Sequence, residues 1–302
     1  MTAARPTEDA LAAGAAPLRQ GSDSGAQGRG AFTGERPGWG DGFDYDYARH
    51  LTAYQQVREL VTAKRVLDAG CGEGFGTRTL ADLASEVVGV DYSEAAIAAC
   101  RRLWCEDTSA SGRQHPANLG FECVDLTRPG GFNRRFDVVL CFQVLEHIRE
   151  PLPFLRALAD RLGPGGVLVL TTPNRLRTVS ENPFHVREYT EPELRHELAA
   201  VFGEIAIRGI HGNDKVERFE QGRARAVQSI LRFDPLGIRR LLPRSIVEFA
   251  FARLARVVRR RARAAGPAAA TPITPEDFAL RDGAVDEALD LVAICSAVRG
   301  HG

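Results

Sequence analysis

Asp68, Gly70, Gly72, Gly74 and Asp91 are the residues whose types and spacing point most directly to chemistry. Glycines at alternate positions let a backbone turn with φ > 0, and they remove Cβ atoms that would hold a ligand away from the loop. Asp91 follows the first glycine at about the 20-residue offset at which a carboxylate can hold a ribose. Two nucleotide-binding turns are excluded by what is missing. A dinucleotide turn of the form G-x-G-x-x-G needs a third glycine where this chain has Phe75 or Thr77, and a phosphate-cradling loop needs a lysine that is not there. A second set lies downstream: Gln143, Glu146 and His147 stand at i, i+3 and i+4, sharing one face if the segment starts a helix. His185 follows in the stretch Asn182 to Thr190. A neutral imidazole titrates near working pH, so His147 or His185 suits a general base. The plainer alternative is that Glu146 and His147 cap a helix while His185 packs under a loop.

These residues must be carried by strands and helices in a regular rhythm. Val66 and Leu67 form an apolar run ending at Asp68, and Val87 to Val90 form a second ending at Asp91. The spacing predicts a helix over Thr77–Leu83 between them and another, capped by Ser93, running to Leu103. Strands are expected at Phe121–Val124, Phe136–Cys141 and Val167–Leu170, with a helix over 151–161 and a turn at Pro164, Gly165 and Gly166. Alternation of this kind gives an α/β chain whose mainly parallel sheet is covered on both faces. Such sheets bind ligands at the carboxyl edge, where all of these acids and the Gln/Glu/His set fall.

The G-x-G-x-G turn behind Asp68 resembles motif I of the class I S-adenosylmethionine methyltransferases. The strand-end acids, the run FDVVLCFQVLEHI, the Pro-Gly-Gly turn and the Thr-Thr-Pro-Asn segment look like the ubiquinone-biosynthesis O-methyltransferase type of that class, over roughly residues 45 to 211. The resemblance implies a Rossmann-like, seven-stranded, mainly parallel sheet with a helical insertion between the last two strands. It implies S-adenosylmethionine as cofactor, with Asp68, Gly70, Cys71, Gly72 and Gly74 at the methionine moiety, an acid there suiting the cationic amino group and repelling a pyrophosphate. Asp91 would take the ribose hydroxyls with Tyr92 beside it, Asp125 and Leu126 would meet the adenine, and Gln143 would line the pocket near the sulfonium. The Glu/His corner resembles the metal-binding E-x-x-E-H and distal His of RNA 3′-terminal 2′-O-methyltransferases, with Gln143 in the first ligand position. That likeness implies Mg²⁺ or Mn²⁺ on Glu146, His147 and His185.

The 302 residues carry 39 basic and 39 acidic side chains and are 44% hydrophobic, enough for one good-sized core. Zero net charge argues against broad nucleic-acid binding. Six cysteines without C-x-x-C pairs read as reduced thiols, and no apolar leader is present, so a cytoplasmic protein is expected. Residues 1–42 are too poor in large apolar side chains to fold and are expected to be a disordered tail. The methyltransferase core is expected over 43–213, a helical insertion shaping the acceptor pocket over 214–275, and a turn plus the final strand over 276–302. Phe43–Val61 reads as a leading helix whose Tyr47, His50 and Tyr54 either form a lid or simply pack. Within the insertion, 244–265 alternates apolar residues with arginines, which suits either a cap helix or peripheral membrane contact. Methyl transfer to a hydroxyl of a small molecule, glycan or lipid-linked acceptor is the expected activity, with RNA 2′-O-methylation and a non-catalytic adaptor as rivals.

Overall fold

The computed structural model describes residues 44–106, 115–128, 132–179, 182, 184–231 and 272–299. The expected tail, and the part of the expected helical insertion that holds the arginine-rich stretch 244–265, lie outside them. The described chain runs α1 (Asp44–Gln56), α2 (Arg58–Val61), β1 (Arg65–Ala69), α3 (Phe75–Leu80), β2 (Glu86–Asp91), α4 (Glu94–Trp104) and β3 (Leu119–Cys123). It continues through β4 (Phe136–Phe142), α5 (Pro151–Ala159), β5 (Leu162–Pro173), α6 (Glu191–Ala199), β6 (Phe202–Gly212), α7 (Asp214–Leu231), β7 (Phe278–Arg281) and β8 (Asp290–Val298).

One sheet of eight strands has the order β3-β2-β1-β4-β5-β8-β6-β7. The strands β1 to β5 pair in parallel, while β8 is antiparallel to both β5 and β6. The central strands are apolar almost throughout because both faces are covered, and alternate residues face opposite cores. Val66, Val87, Leu140 and Val169 pack with α1 to α4 and α7. Leu67, Val88, Val139 and Leu168 pack with Phe154 and Leu155 of α5 and with Leu194 and Leu198 of α6.

The α/β fold matches the expectation, with one more strand than the expected seven. β6 is longer than the alternation from Glu204 to Ile210 suggests, and its far edge, Gly209 to Gly212, pairs with β7. The capped turn after Thr274 is confined to Pro275–Asp277, and the chain then extends directly into that edge strand. The leading helix also divides in two, at the buried Val57. The Pro164-Gly165-Gly166 turn is instead an irregularity inside a longer β5, where the pairing with β4 slips between Phe136 and Val138. Among the described residues no helix is long and apolar enough to cross a membrane.

Candidate active site at the carboxyl edge of the sheet

The turn after β1 is bent by three glycines in the left-handed region: φ is +83° at Gly70, +55° at Gly72 and +73° at Gly74. Side chains other than glycine are strained there, which accounts for the alternate spacing. The loop is tied to β2, since the amides of Gly70 and Cys71 both donate to the Val90 carbonyl at 2.8 and 3.0 Å. Gly74 then opens α3 as its N-cap. The glycines differ in their surroundings. A Cβ on Gly70 would meet Val144 Cγ2 at 2.4 Å, and one on Gly74 would meet Phe121 at 2.7 Å. A Cβ on Gly72 would meet nothing within 4 Å.

Asp91, at the end of β2, borders that open space. Its carboxylate accepts from the Gly72 amide at 3.2 Å and from the Ser93 amide at 2.8 Å. Tyr92, beside it, exposes 75% of its surface, a large ring held at the rim with little packed on it. Cys71 and Leu126 are buried, and the Cys71 thiol is raised chiefly by its hydrogen bond with Cys100 and by burial. Asp125 is occupied locally, accepting from the Thr127 amide and pairing with Arg128 at 3.0 Å. The Thr127 hydroxyl holds its carboxyl below the usual range.

Asp68 is fully buried. It accepts from Thr77 Oγ1 at 2.6 Å and from the Tyr54 hydroxyl at 3.1 Å, and burial pushes its pKa up to about 6. A carboxylate in this position, served by two neutral hydroxyls, is suited to a cation. It sits beneath Tyr54 of α1, so a ligand reaches it only if Tyr54 moves. Of the three lid candidates, Tyr54 packs against Phe75 and Phe142, Tyr47 packs on Phe75, and His50 Nδ1 bonds to the Asp46 carbonyl at 2.7 Å.

The second set of residues stands at the ends of β4 and β5. After β4 the chain makes a single 3-10 turn, Leu145–His147, rather than a helix. Gln143 therefore leaves the Glu/His face: it has φ +57° and its amide nitrogen donates to Thr171 Oγ1 and Asp290 Oδ1. Glu146, His147 and His185 do come together, each offering a donor atom within 4.8 Å of the others. Glu146 is buried, accepts from the Thr172 hydroxyl at 3.0 Å, and is pushed up to about 7 by burial. His147 Nδ1 lies 3.1 Å from the Phe184 carbonyl, which can only accept, so Nδ1 carries the proton and Nε2 is the basic nitrogen.

His185 is differently committed. Its Nδ1 faces Glu188 Oε1 at 2.6 Å and its Nε2 faces the Asn182 amide nitrogen at 2.9 Å. The Asn182 oxygen is already taken by the Phe184 amide, so Asn182 donates to Nε2. Both nitrogens of His185 are thus engaged.

Sequence reasoning did not single out Arg49 and Asp290. Arg49 of α1 grips the Asp290 carboxylate through Nε at 2.6 Å and through Nη2, and also donates to the Leu289 carbonyl at 2.9 Å. A lone arginine in the aromatic stripe of α1 and a lone acid ahead of the apolar run Leu291 to Ile294 were the only signals.

Residues 43–210 match a family model described as methyltransferase domain. A "Probable S-adenosylmethionine-dependent methyltransferase" of Mycolicibacterium smegmatis is 36% identical over 181 residues, covering 58% of this chain and 65% of that protein. One of the same description from Mycobacterium tuberculosis is 37% identical over 176 residues, covering 56% and 60%. A ubiquinone biosynthesis O-methyltransferase of Idiomarina loihiensis is 31% identical over 165 residues, covering 49% and 65%. Each match spans less than two thirds of the relative's own length. Among solved structures, the 4+2 cyclase SpnF has the same fold, with a TM-score of 0.51 at 19% identity over 83% of this chain and 82% of that one. With a glycine turn, a strand-end acid and a sheet order that fit it, and a family match over more than half its length, the chain belongs to the methyltransferase-domain family.

Proposed function

We propose that this protein is an S-adenosylmethionine-dependent methyltransferase acting on a hydroxyl oxygen of a small molecule, glycan or lipid-linked acceptor. The observation that carries the reading is the open space over Gly72, bordered by the Asp91 carboxylate and reached from the same sheet edge as the Glu146/His147 corner. The residues fit the cofactor. Gly72 leaves room for it, Asp91 accepts from ribose hydroxyls, Tyr92 offers a ring face to the base, and Asp68 attracts an ammonium. Leu126 and Asp125 flank the base side, and Gln143 lies toward the sulfonium.

When bound, the cofactor supplies a methyl group on an already electrophilic sulfonium, and its transfer leaves the neutral thioether. What the chain adds is placement and a proton acceptor. His147 Nε2, with the opposite nitrogen fixed on Phe184, takes the proton of the acceptor hydroxyl as its oxygen attacks. Glu146, buried next to it, stabilises the imidazolium that results. The six cysteines are all free thiols, which supports a cytoplasmic setting.

A divalent ion is the second reading of this corner, favoured by the convergence of one carboxylate and two imidazoles. Mixed nitrogen and oxygen donors suit Mn²⁺ better than Mg²⁺. His185 would have to exchange its Asn182 hydrogen bond for the ion. The test of the main reading is an acceptor screen scored by S-adenosylhomocysteine release, with His147→Ala as control and with Mn²⁺ added or chelated. Release that depends on acceptor and on His147 supports it. Cofactor binding with no release from any hydroxyl acceptor counts against it and in favour of another chemistry on the same fold. Release that chelation leaves unchanged removes the metal.

A further inference from the structure

Gln143 is held in an unusual way for a residue at the mouth of a ligand site. Its φ of +57° places a non-glycine residue in the left-handed region, so the surrounding structure determines its conformation. The backbone amide donates to the Thr171 carbonyl at 3.0 Å, and both side-chain contacts are made by the amide nitrogen, at 3.2 Å to Thr171 Oγ1 and 3.1 Å to Asp290 Oδ1. The Thr171 hydroxyl does not choose between the two ends of an amide, because it donates as readily as it accepts. Asp290 does choose. A carboxylate gripped by a guanidinium through two nitrogens only accepts, so the group facing it must be the NH₂. Arg49 supplies that grip from α1, and the pair is nearly closed to solvent, with side chains 15% and 2% exposed.

With its nitrogen so committed, the oxygen is the end of the Gln143 amide left to meet a ligand. We infer that Asp290, locked by Arg49, is a positioning residue that holds the Gln143 amide with its oxygen toward the cofactor sulfonium. The inference rests on the methyltransferase reading, which puts Gln143 beside that group. An amide oxygen presents negative charge to a sulfonium and an amide NH₂ presents positive charge, so a flip of the side chain reverses the sign of the interaction. The cofactor's product lacks the transferred methyl group and with it the positive charge, and its neutral thioether is nearly indifferent to the flip. Because Arg49 lies on α1 and Asp290 starts β8, the sulfonium is favoured only when α1 is docked.

The experiment is a calorimetric comparison of S-adenosylmethionine and S-adenosylhomocysteine on the full chain. Removing one partner of a buried ion pair can unfold a protein, whereas replacing both with apolar residues is often tolerated, so the main variant is Arg49→Met with Asp290→Leu. Expected is a fall of about tenfold in affinity for S-adenosylmethionine relative to S-adenosylhomocysteine, with Gln143→Met giving a fall of the same size. The triple variant should be no worse than either, since all three residues act through one amide. If the apolar double variant fails to fold, Asp290→Asn gives the same readout. Arg49 donates to both carboxylate oxygens, so the new NH₂ meets an N–H of Arg49 in either orientation, and the acceptor that fixed the Gln143 amide is no longer held in place. Loss of both ligands alike, no change in their ratio, or additive effects in the triple variant would each overturn the inference. An unchanged chain that binds neither ligand would instead overturn the methyltransferase reading on which it rests.

Discussion

Tyr54 donates its hydroxyl to Asp68 across 3.1 Å, so a helix outside the sheet closes over the carboxylate at the end of the first strand. The contact is tight from below as well, because a Cβ on Gly76 would lie 2.0 Å from the Tyr54 ring. Arg49 makes a parallel contact with Asp290, so α1 holds two strand-end carboxylates at once. The same Tyr54 ring packs on Phe75 and Phe142 and covers the Asp68 carboxylate.

Asp68 makes stability depend on pH. Its folded pKa of about 6 stands above its ordinary 3.8, so between these values the folded chain binds more protons than the unfolded one. Its contribution is present below the lower value and is lost as pH rises through about 6. Thermal melts of the unliganded protein should show this loss, and Asp68→Asn should abolish that part of the profile. A variant with the same pH profile as the parent would contradict the assignment. S-adenosylmethionine binding should weaken in the opposite direction, as pH falls below about 6 and the carboxylate is neutralised.

Gly72→Ala and Gly70→Ala should separate binding from folding. Both positions have positive φ, at a cost of about 1–2 kcal/mol for alanine. Only Gly70 adds a clash, with Val144. Denaturant melts should therefore show the larger loss for Gly70→Ala, while Gly72→Ala stays folded and loses cofactor affinity by tenfold or more in titration. Intact affinity in Gly72→Ala would mean that the space above this glycine is not the cofactor's.

Tyr92→Ala should leave the melting curve within about 0.5 kcal/mol of the parent, as expected of an exposed side chain. It should weaken S-adenosylmethionine by about 0.5–1.5 kcal/mol, the size of a ring-stacking contact. Unchanged affinity would take Tyr92 out of the site.

His147→Ala should reduce methyl transfer by about 100-fold or more, the usual contribution of a general base. Cofactor affinity should stay near that of the parent, because Asp91 and the glycine loop are untouched. Equal losses in turnover and cofactor binding would place His147 in the cofactor site instead.

The sequence made the glycine loop legible because positive φ at alternate positions is something only glycine supplies without strain, and an acid closing an apolar strand is visible at any distance from it. The Glu146, His147 and His185 cluster was legible as a pair of segments, although the helix imagined for the first of them is a single turn. That difference moves Gln143 off their face. Arg49 and Asp290 were not legible. They stand 241 positions apart and meet only because β8 inserts between β5 and β6. β7 was missed for a different reason: four residues are too few to show an alternation.

The central claim is that the loop between Asp68 and Asp91 holds a sulfonium cofactor. Its most direct test is calorimetric titration of the protein with S-adenosylmethionine, beside Asp91→Ala and with NAD as control. Micromolar binding that the substitution weakens by tenfold or more, with no binding of NAD, is the predicted result. Folded protein that does not bind S-adenosylmethionine, or binds it equally well without the Asp91 carboxylate, would contradict the account.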